Sequence, residues 1–230
     1  GVNAELLIDH AWGWEPCTME FIKAYKPATN SFSSGQVLQE PYTVRKARVV
    51  VREMAESTAL DLLDKRMVTD QLVLTIGYDT ASLSNEDART TYKGEVTTDY
   101  YGRKVPKHAH GTANLESPTS SARLISEAVM ELFDRIVNPN LLVRRINLTT
   151  NHVVDEDTAA KNQSPVQYDL FTDYEALERK QREEKERLAK ERKIQTAILN
   201  IKKQFGKNAI LKGLNYEEGA TAKERNEQIG

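Results

Sequence analysis

Hydrophobic and polar residues alternate in three short stretches of the chain, and two longer stretches repeat with helical spacing. The alternating stretches, each of which predicts a β-strand, are residues 71–78, 107–115 and 142–150, and residues 32–42 can form a further strand. Residues 44–66 and 119–137 carry apolar side chains three or four positions apart, as amphipathic helices do. The order β-α-β-β-α-β predicts an α+β fold, with a four-stranded antiparallel sheet and two helices on one face.

The apolar positions predict which side of each helix is buried. The inward positions of the two helices are Ala47, Val51, Met54, Thr58 and Leu62, and Ile125, Val129, Leu132, Phe133 and Ile136. Thr119 to Ser121 supply N-cap candidates for the second helix. Residues 79–106 are polar, which predicts a long loop or a hairpin.

Two segments beside this unit read as linkers by composition, residues 23–31 and residues 154–172. Residues 1–22, before the first linker, begin with a short helical pattern. We expect Trp12 and Trp14 to pack within that segment.

After the second linker, residues 173–206 predict a long helix that ends at Gly206. Its acidic and basic residues stand four positions apart, as in the pair Glu183 and Arg187, so we expect ion pairs along a solvated helix. Residues 207–230 form a polar tail.

Composition limits the classes of function. The net charge of the 230-residue chain is −2, so any contact with nucleic acid must come from a local patch. Cys17 has no second cysteine to pair with, which indicates a reducing compartment, and we expect a cytoplasmic protein. No stretch has the apolar length of a membrane span. The first residue is Gly1 rather than Met, which we interpret as a fragment or a processed chain.

Strand parity predicts a polar face on the side of the sheet that the helices leave open. The outward positions are Val73, Thr75, Gly77, His108, His110, Thr112, Asn114, Arg145, Asn147 and Thr149. Hydroxyl, amide and guanidinium groups donate to phosphate oxygens, and small side chains let a nucleic-acid backbone approach closely. The face lacks the aromatic pair with which an RNA-binding sheet stacks bases. The alternative is an ordinary solvated face of an antiparallel sheet.

Two of these outward residues, His108 and His110, share one strand face and are metal-ligand types. No cysteine or acid accompanies them at ligand spacing, so we expect no metal site.

A pentapeptide in the second linker, Gln167-Tyr168-Asp169-Leu170-Phe171, places two large apolar side chains in a polar segment. Its pattern resembles the peptide with which bacterial DNA polymerases and repair factors bind the sliding clamp. In this interpretation Leu170 and Phe171 fill an apolar pocket of the clamp, and Gln167 donates a hydrogen bond at the rim. The alternatives are a chance match and a hydrophobic staple at the start of the following helix.

Further motifs indicate the same biological setting. They are the run from Ser31 to Leu38 with Pro41-Tyr42, Glu53-Met54 in the first helix, His110-Gly111-Thr112, and Gly219-Ala220-Thr221 with Arg225-Asn226 near the end. Together they resemble the C-terminal part of Y-family (translesion, UmuC-like, impB/mucB/samB-type) DNA polymerases. The resemblance covers nearly the whole chain and is weak across residues 79–106.

The resemblance implies a thumb-domain remnant at residues 1–22 and a little-finger domain at residues 32–153. In that family the little finger holds primer–template DNA through its backbone, and the polymerase docks on the sliding clamp during bypass of DNA damage in the bacterial SOS response. The residues implied to contact DNA are Ser33, Ser34, Thr75, His108, His110, Thr112, Arg145 and Thr149. Those implied to bind the clamp are Gln167, Asp169, Leu170 and Phe171.

The family's nucleotidyl transfer uses Mg²⁺ ions held by carboxylates of a palm domain. No such constellation stands in this sequence, so we expect no catalytic residue and no cofactor here. The resemblance implies that the palm and fingers lie upstream in the same polypeptide, and that the protein works at the nucleoid in the cytoplasm. The rival interpretation is a stand-alone nucleic-acid-binding or scaffold module with a ferredoxin-like sheet.

Overall fold

The computed structural model describes residues 2–25, 30–84, 92–161 and 174–228, and the chain divides into a unit of residues 1–30 and a unit of residues 31–230. The first unit contains helices α1 (Val2–Ala11) and α2 (Met19–Ala24). The expectation that Trp12 and Trp14 pack there is wrong, because their side chains are 86% and 59% exposed. The two helices are too short to enclose indole rings between them.

The second unit alternates strands and helices. Its elements in chain order are β1 (Phe32–Tyr42), α3 (Val44–Asp64), β2 (Met67–Tyr78), a 3₁₀ turn (Thr80–Leu83), β3 (Val96–Thr98), β4 (Lys104–Pro106), β5 (Ala109–Thr119), α4 (Ala122–Ile136), β6 (Val143–Asn151), β7 (Val154–Asp155), α5 (Glu156–Lys161), α6 (Tyr174–Phe205), a second 3₁₀ turn (Gly213–Tyr216) and α7 (Ala222–Glu227).

The four long strands form one antiparallel sheet in the order β1-β6-β2-β5, and the short β7 pairs with the start of β2. Helices α3 and α4 contact each other and cover one face. Ser121 begins α4, because its hydroxyl oxygen accepts from the Leu124 N–H at 3.2 Å. The predicted α+β fold is therefore confirmed, and β3 and β4 form a separate hairpin within residues 79–106.

The core lies between the sheet and the two helices. Leu72, Leu74 and Ile76 alternate inward from β2 and are fully buried beneath the predicted apolar positions of α3 and α4. Helix α4 lies directly on β5 at Gly111, where an added Cβ would stand 2.8 Å from Leu132 Cδ1 and 2.9 Å from Ile136 Cγ2. Only glycine allows this close approach.

Leu142 was predicted to face the core, but the buried side chain is one residue further along. Leu142 is half-buried, while Val143 is fully buried. The cause is a bulge of β6 against β2, because Gly77 pairs with Arg145 but the next residue, Tyr78, pairs with Val143. Such a bulge changes the side on which the next residue emerges.

The charges of α6 bind other elements of the second unit. The Arg192 guanidinium pairs with Glu156 of α5, with its two nitrogens 2.7 and 2.8 Å from the carboxylate oxygens. Glu191 accepts from the Arg123 N–H at 2.9 Å and from the Ser121 hydroxyl at 2.7 Å, at the first turn of α4. Within the described part of α6, the predicted pair between Glu183 and Arg187 is not formed.

The polar tail binds α3 through Glu53, which is buried. One oxygen of the Glu53 carboxylate accepts from the Thr221 N–H at 2.8 Å and the Ala222 N–H at 3.0 Å, and the other accepts from Asn215 Nδ2 at 2.7 Å. Gly219 has φ +96° and would carry a Cβ 2.7 Å from Lys46 Cβ, so the chain passes this point only as glycine. The tail is therefore part of the folded unit.

None of the helices in the described ranges is both long and apolar enough to cross a membrane.

We expect Glu53→Gln to release the tail. The new side-chain –NH2 group would point a donor at groups that are themselves donors, so hydrogen bonds to the carboxylate would be lost. Charge-assisted bonds of this kind contribute about 1.5–3 kcal/mol each. Hydrogen exchange should show faster exchange of amides 212–228, and the free energy of unfolding should fall. Glu131→Gln, on the exposed side of α4, is the matched control. Unchanged protection of the tail would contradict the role of Glu53.

We expect Gly111→Val to destabilise the second unit by about 1–3 kcal/mol, because the new side chain overlaps Leu132 and Ile136. Urea unfolding followed by circular dichroism measures the change. Gly213→Val is the control, since no atom lies within 4 Å of a Cβ built there. Equal stability of the two variants would show that α4 does not press on β5.

Candidate nucleic-acid interface

The uncovered side of the sheet, called the open face from here on, consists of three rows of side chains that cross the four strands. The rows are Ser33–Thr149–Val73–Thr112, Gly35–Asn147–Thr75–His110, and Val37–Arg145–Gly77 with His108 beside it. Because successive residues of a strand point to opposite sides, all these side chains lie opposite the helices. The three rows contain one arginine, two histidines and no carboxylate.

Ser33 and Thr149 are joined at the β1 side of the open face. The Ser33 hydroxyl lies 3.0 Å from Thr149 Oγ1 and 3.0 Å from Asn147 Oδ1. The amide of Asn147 is thereby oriented with its oxygen toward β1. The Ser33 hydroxyl gives its one proton to Asn147 Oδ1, so the Asn147 –NH2 group supplies the donors for an incoming phosphate oxygen.

Thr75 and His110 form a similar pair on the β5 side. The Thr75 hydroxyl oxygen lies 2.9 Å from His110 Nδ1, so the second ring nitrogen, Nε2, remains available to a ligand. The His108 ring stands edge-on to the His110 ring, with 6.5 Å between the centroids. Two imidazoles therefore line the same edge of the face.

Arg145 lies over a glycine. A Cβ added to Gly77 would be 3.1 Å from Arg145 Cβ, so the flat backbone of β2 gives room for the base of the arginine side chain. Arg145 is exposed, and no carboxylate in the described part of the chain pairs with it. An exposed guanidinium without a counter-ion is suited to contact a phosphate.

One predicted contact residue lies elsewhere. Ser34 pairs in register with Leu148, a buried residue, and so belongs to the helix-covered side. Ser33 and Ser34 are neighbours in one strand and cannot share a face. The grouping of Ser34 with the other seven predicted residues is therefore wrong, while those seven lie together on the open face.

Asn147 is the residue that the predicted contact set omitted. It stands in the middle row between Gly35 and Thr75, and its carbonyl oxygen holds the Ser33 hydroxyl. Strand parity alone identifies it as outward-facing.

The predicted clamp-binding residues Gln167, Asp169, Leu170 and Phe171 lie outside the described residues. In the sequence they stand between the end of α5 at Lys161 and the start of α6 at Tyr174. Among the residues that the structure describes, no group of three or more His, Cys, Asp or Glu side chains is placed to hold a metal ion.

Comparison with known proteins gives one family match. Residues 29–170 match the impB/mucB/samB family C-terminal domain. No curated protein sequence matches the chain.

Similar solved structures include the little finger domain of PolIV in complex with the beta-clamp processivity factor. That match has 8% identity and a TM-score of 0.36, and covers 62% of this chain and 100% of the other. A post-insertion binary complex of Dbh DNA polymerase matches with 11% identity and a TM-score of 0.32, over 67% of this chain and 36% of the polymerase. An insertion ternary complex of the same enzyme matches with 13% identity and a TM-score of 0.31, over 59% and 33%.

Proposed function

The chain belongs to the impB/mucB/samB family, whose C-terminal domain it carries, and on this premise we propose that it holds primer–template DNA for a Y-family translesion polymerase. The open face grips the sugar–phosphate backbone without reading bases. A pentapeptide in the same chain docks the polymerase on the sliding clamp. The site of action in this proposal is the bacterial nucleoid during bypass of DNA damage.

The observation that carries the proposal is the chemistry of the open face. Its three rows place Arg145, His110 and short hydroxyl side chains beside one another, with no carboxylate among them. Glycines at two positions, Gly35 and Gly77, lower the surface so that a backbone can come close. Phosphate contacts of this kind position a protein on DNA and carry no sequence information. A polymerase that moves along any template needs this type of grip.

In this proposal the open face binds DNA although the whole chain has a net charge of −2. We therefore expect weak binding to duplex DNA that falls steeply with salt. A single guanidinium and two imidazoles on the face correspond to a few phosphate contacts.

Clamp docking is the second part of the proposal. The pentapeptide 167–171 supplies two apolar anchors, Leu170 and Phe171, which could fill a pocket on a partner. The mostly polar residues 155–166 before it offer no cluster of large apolar side chains. We assign the metal-dependent nucleotidyl transfer of such polymerases to a palm domain and not to this chain.

Replacing Arg145 tests the DNA-holding role. We expect Arg145→Gln to weaken binding to a blunt duplex severalfold and to reduce the slope of log K against log[salt] by about 1, because one phosphate contact is lost. Fluorescence anisotropy at several salt concentrations measures both quantities. Arg182→Gln, on the exposed surface of α6, removes the same charge elsewhere. An equal effect of both variants would mean that only the overall charge matters.

Surface plasmon resonance on an immobilised bacterial sliding clamp tests the docking role. We expect micromolar binding of the intact chain and none of the Leu170→Ala, Phe171→Ala double variant, since buried anchors dominate small interfaces. Gln163→Ala with Ser164→Ala changes the same segment outside the pentapeptide and should bind normally. Binding that survives loss of Leu170 and Phe171 would remove this part of the proposal and leave the DNA-holding role in place.

A further inference from the structure

Two tyrosines at the tip of the β3–β4 hairpin are among the most exposed large side chains of the described residues. Tyr100 is 96% exposed and Tyr101 is 71% exposed. Their rings stand edge to face, with 5.4 Å between the centroids and 87° between the planes. The core of the domain does not use either ring.

The turn that carries these rings is rigidly built around Asp99. The Asp99 carboxylate accepts from the Tyr101 N–H at 3.0 Å and from the Arg103 N–H at 2.8 Å, and it pairs with the Arg103 guanidinium at 2.7 Å. The hydrogen bond from the Arg103 side chain is the main reason that the pKa of Asp99 lies below its usual value. Gly102 closes the turn at φ +78°. These bonds fix the backbone of the turn that carries the two tyrosines.

Two basic residues lie on the same hairpin as the rings. The Arg103 guanidinium carbon lies 5.2 Å from the centroid of the Tyr101 ring, and Lys104 donates to the Thr98 hydroxyl at 2.8 Å on the same hairpin. Asp99 is engaged in the turn, and Lys107 pairs with Glu95 at the hairpin base. The unpaired ammonium of Lys104 therefore leaves this tip cationic beside its two aromatic faces.

The hairpin rises from one end of the sheet. It leaves β2 after Tyr78 and returns into β5 through His108, and the Lys107 N–H donates to the Glu95 carbonyl at 2.8 Å to close its base. Strand β4 also contacts the turn Thr80–Leu83 and β2. The same end of the sheet carries the open-face row of Arg145 and Gly77. The base of the hairpin thus lies at the end of the sheet that carries this row.

We propose that Tyr100 and Tyr101 form a stacking platform for an unpaired base of the DNA strand that extends from the duplex on the open face. This inference rests on the proposed function and adds to it a contact with single-stranded DNA. Aromatic faces stack on any base, and nearby cations attract the adjoining phosphate. The three rows of the open face contain no Tyr, Phe or Trp ring, so the hairpin supplies the large aromatic faces that the sheet lacks.

Two DNA molecules and three variants of the full 230-residue chain test the platform. One DNA is a blunt duplex, and the other is the same duplex with a four-nucleotide template overhang that carries 2-aminopurine at its first unpaired position. Tyr100→Ala with Tyr101→Ala removes the rings, and Tyr100→Phe keeps the stacking surface. Tyr216→Ala removes a 70% exposed tyrosine in the tail and is the control.

We expect the unmodified chain to bind the overhang DNA at least about fivefold more tightly than the blunt duplex and to quench 2-aminopurine fluorescence, as one stacked base does. The double alanine variant should lose the preference and the quenching but bind the blunt duplex normally. The Tyr100→Phe and Tyr216→Ala variants should behave like the unmodified chain. Matching thermal melting curves would show that every variant folds.

Each other outcome has a definite meaning. Equal binding of both DNAs by the unmodified chain, or a preference that survives the double variant, would overturn the platform while the DNA-holding role stands. If the double variant instead loses binding to the sliding clamp with DNA binding intact, the tip is a protein contact and the platform is refuted. Failure to bind either DNA would overturn the proposed function together with this inference.

Discussion

The register between the two central strands, β2 and β6, is the constraint on which the open face depends. Leu74 pairs with Leu148 on the buried side, and Thr75 pairs with Asn147 on the open side. A slip of one residue would exchange these sides and expose two leucines, each of which contributes about 1.5–3 kcal/mol through burial. The apolar core therefore determines which polar groups meet solvent. Gly77 and Arg145 are neighbours in the same register, so the packing of the core also fixes where Arg145 stands on the open face.

Helix α6 and the C-terminal tail both bind the side of the sheet that α3 and α4 cover. Helix α6 contacts α3 and the first turn of α4, and the tail reaches α3 at Glu53 and β1 at Gln36. A buried carboxylate is costly without partners, and the N–H groups of Thr221 and Ala222 offset that cost. Two sequence motifs 168 residues apart thus meet in one cluster. Among the described residues of the second unit, the long helix and the tail leave the open face uncovered.

Patterns within single strands and helices predicted which side of each of these elements faces the core. Alternation placed Thr75, His110 and Arg145 on one face, and helical spacing identified the buried sides of α3 and α4. Ser34 was assigned from a motif rather than from parity, and the strand places it on the other side. Strands of three residues are too short to show alternation, so for residues 79–106 the sequence left a long loop and a hairpin as alternatives. The contacts of Glu53 and Glu191 join distant segments, and spacing along one helix cannot reveal them.

Weak DNA binding would suit the proposed role, because that role includes a second attachment through the clamp peptide. The open face has one arginine, and the whole chain has a net charge of −2, so we expect the face to hold DNA only briefly at cellular salt. A peptide in the same polypeptide that binds a ring around the DNA would raise the effective concentration of the open face at the duplex by tethering it there. The contact of the open face with DNA can then open while the peptide holds the protein, and loss of both contacts ends the association. A strongly basic face would make the tether unnecessary and would slow release after a lesion has been passed. In the proposed function, the near-zero charge therefore keeps the DNA contact weak, and the clamp peptide keeps the protein at the duplex.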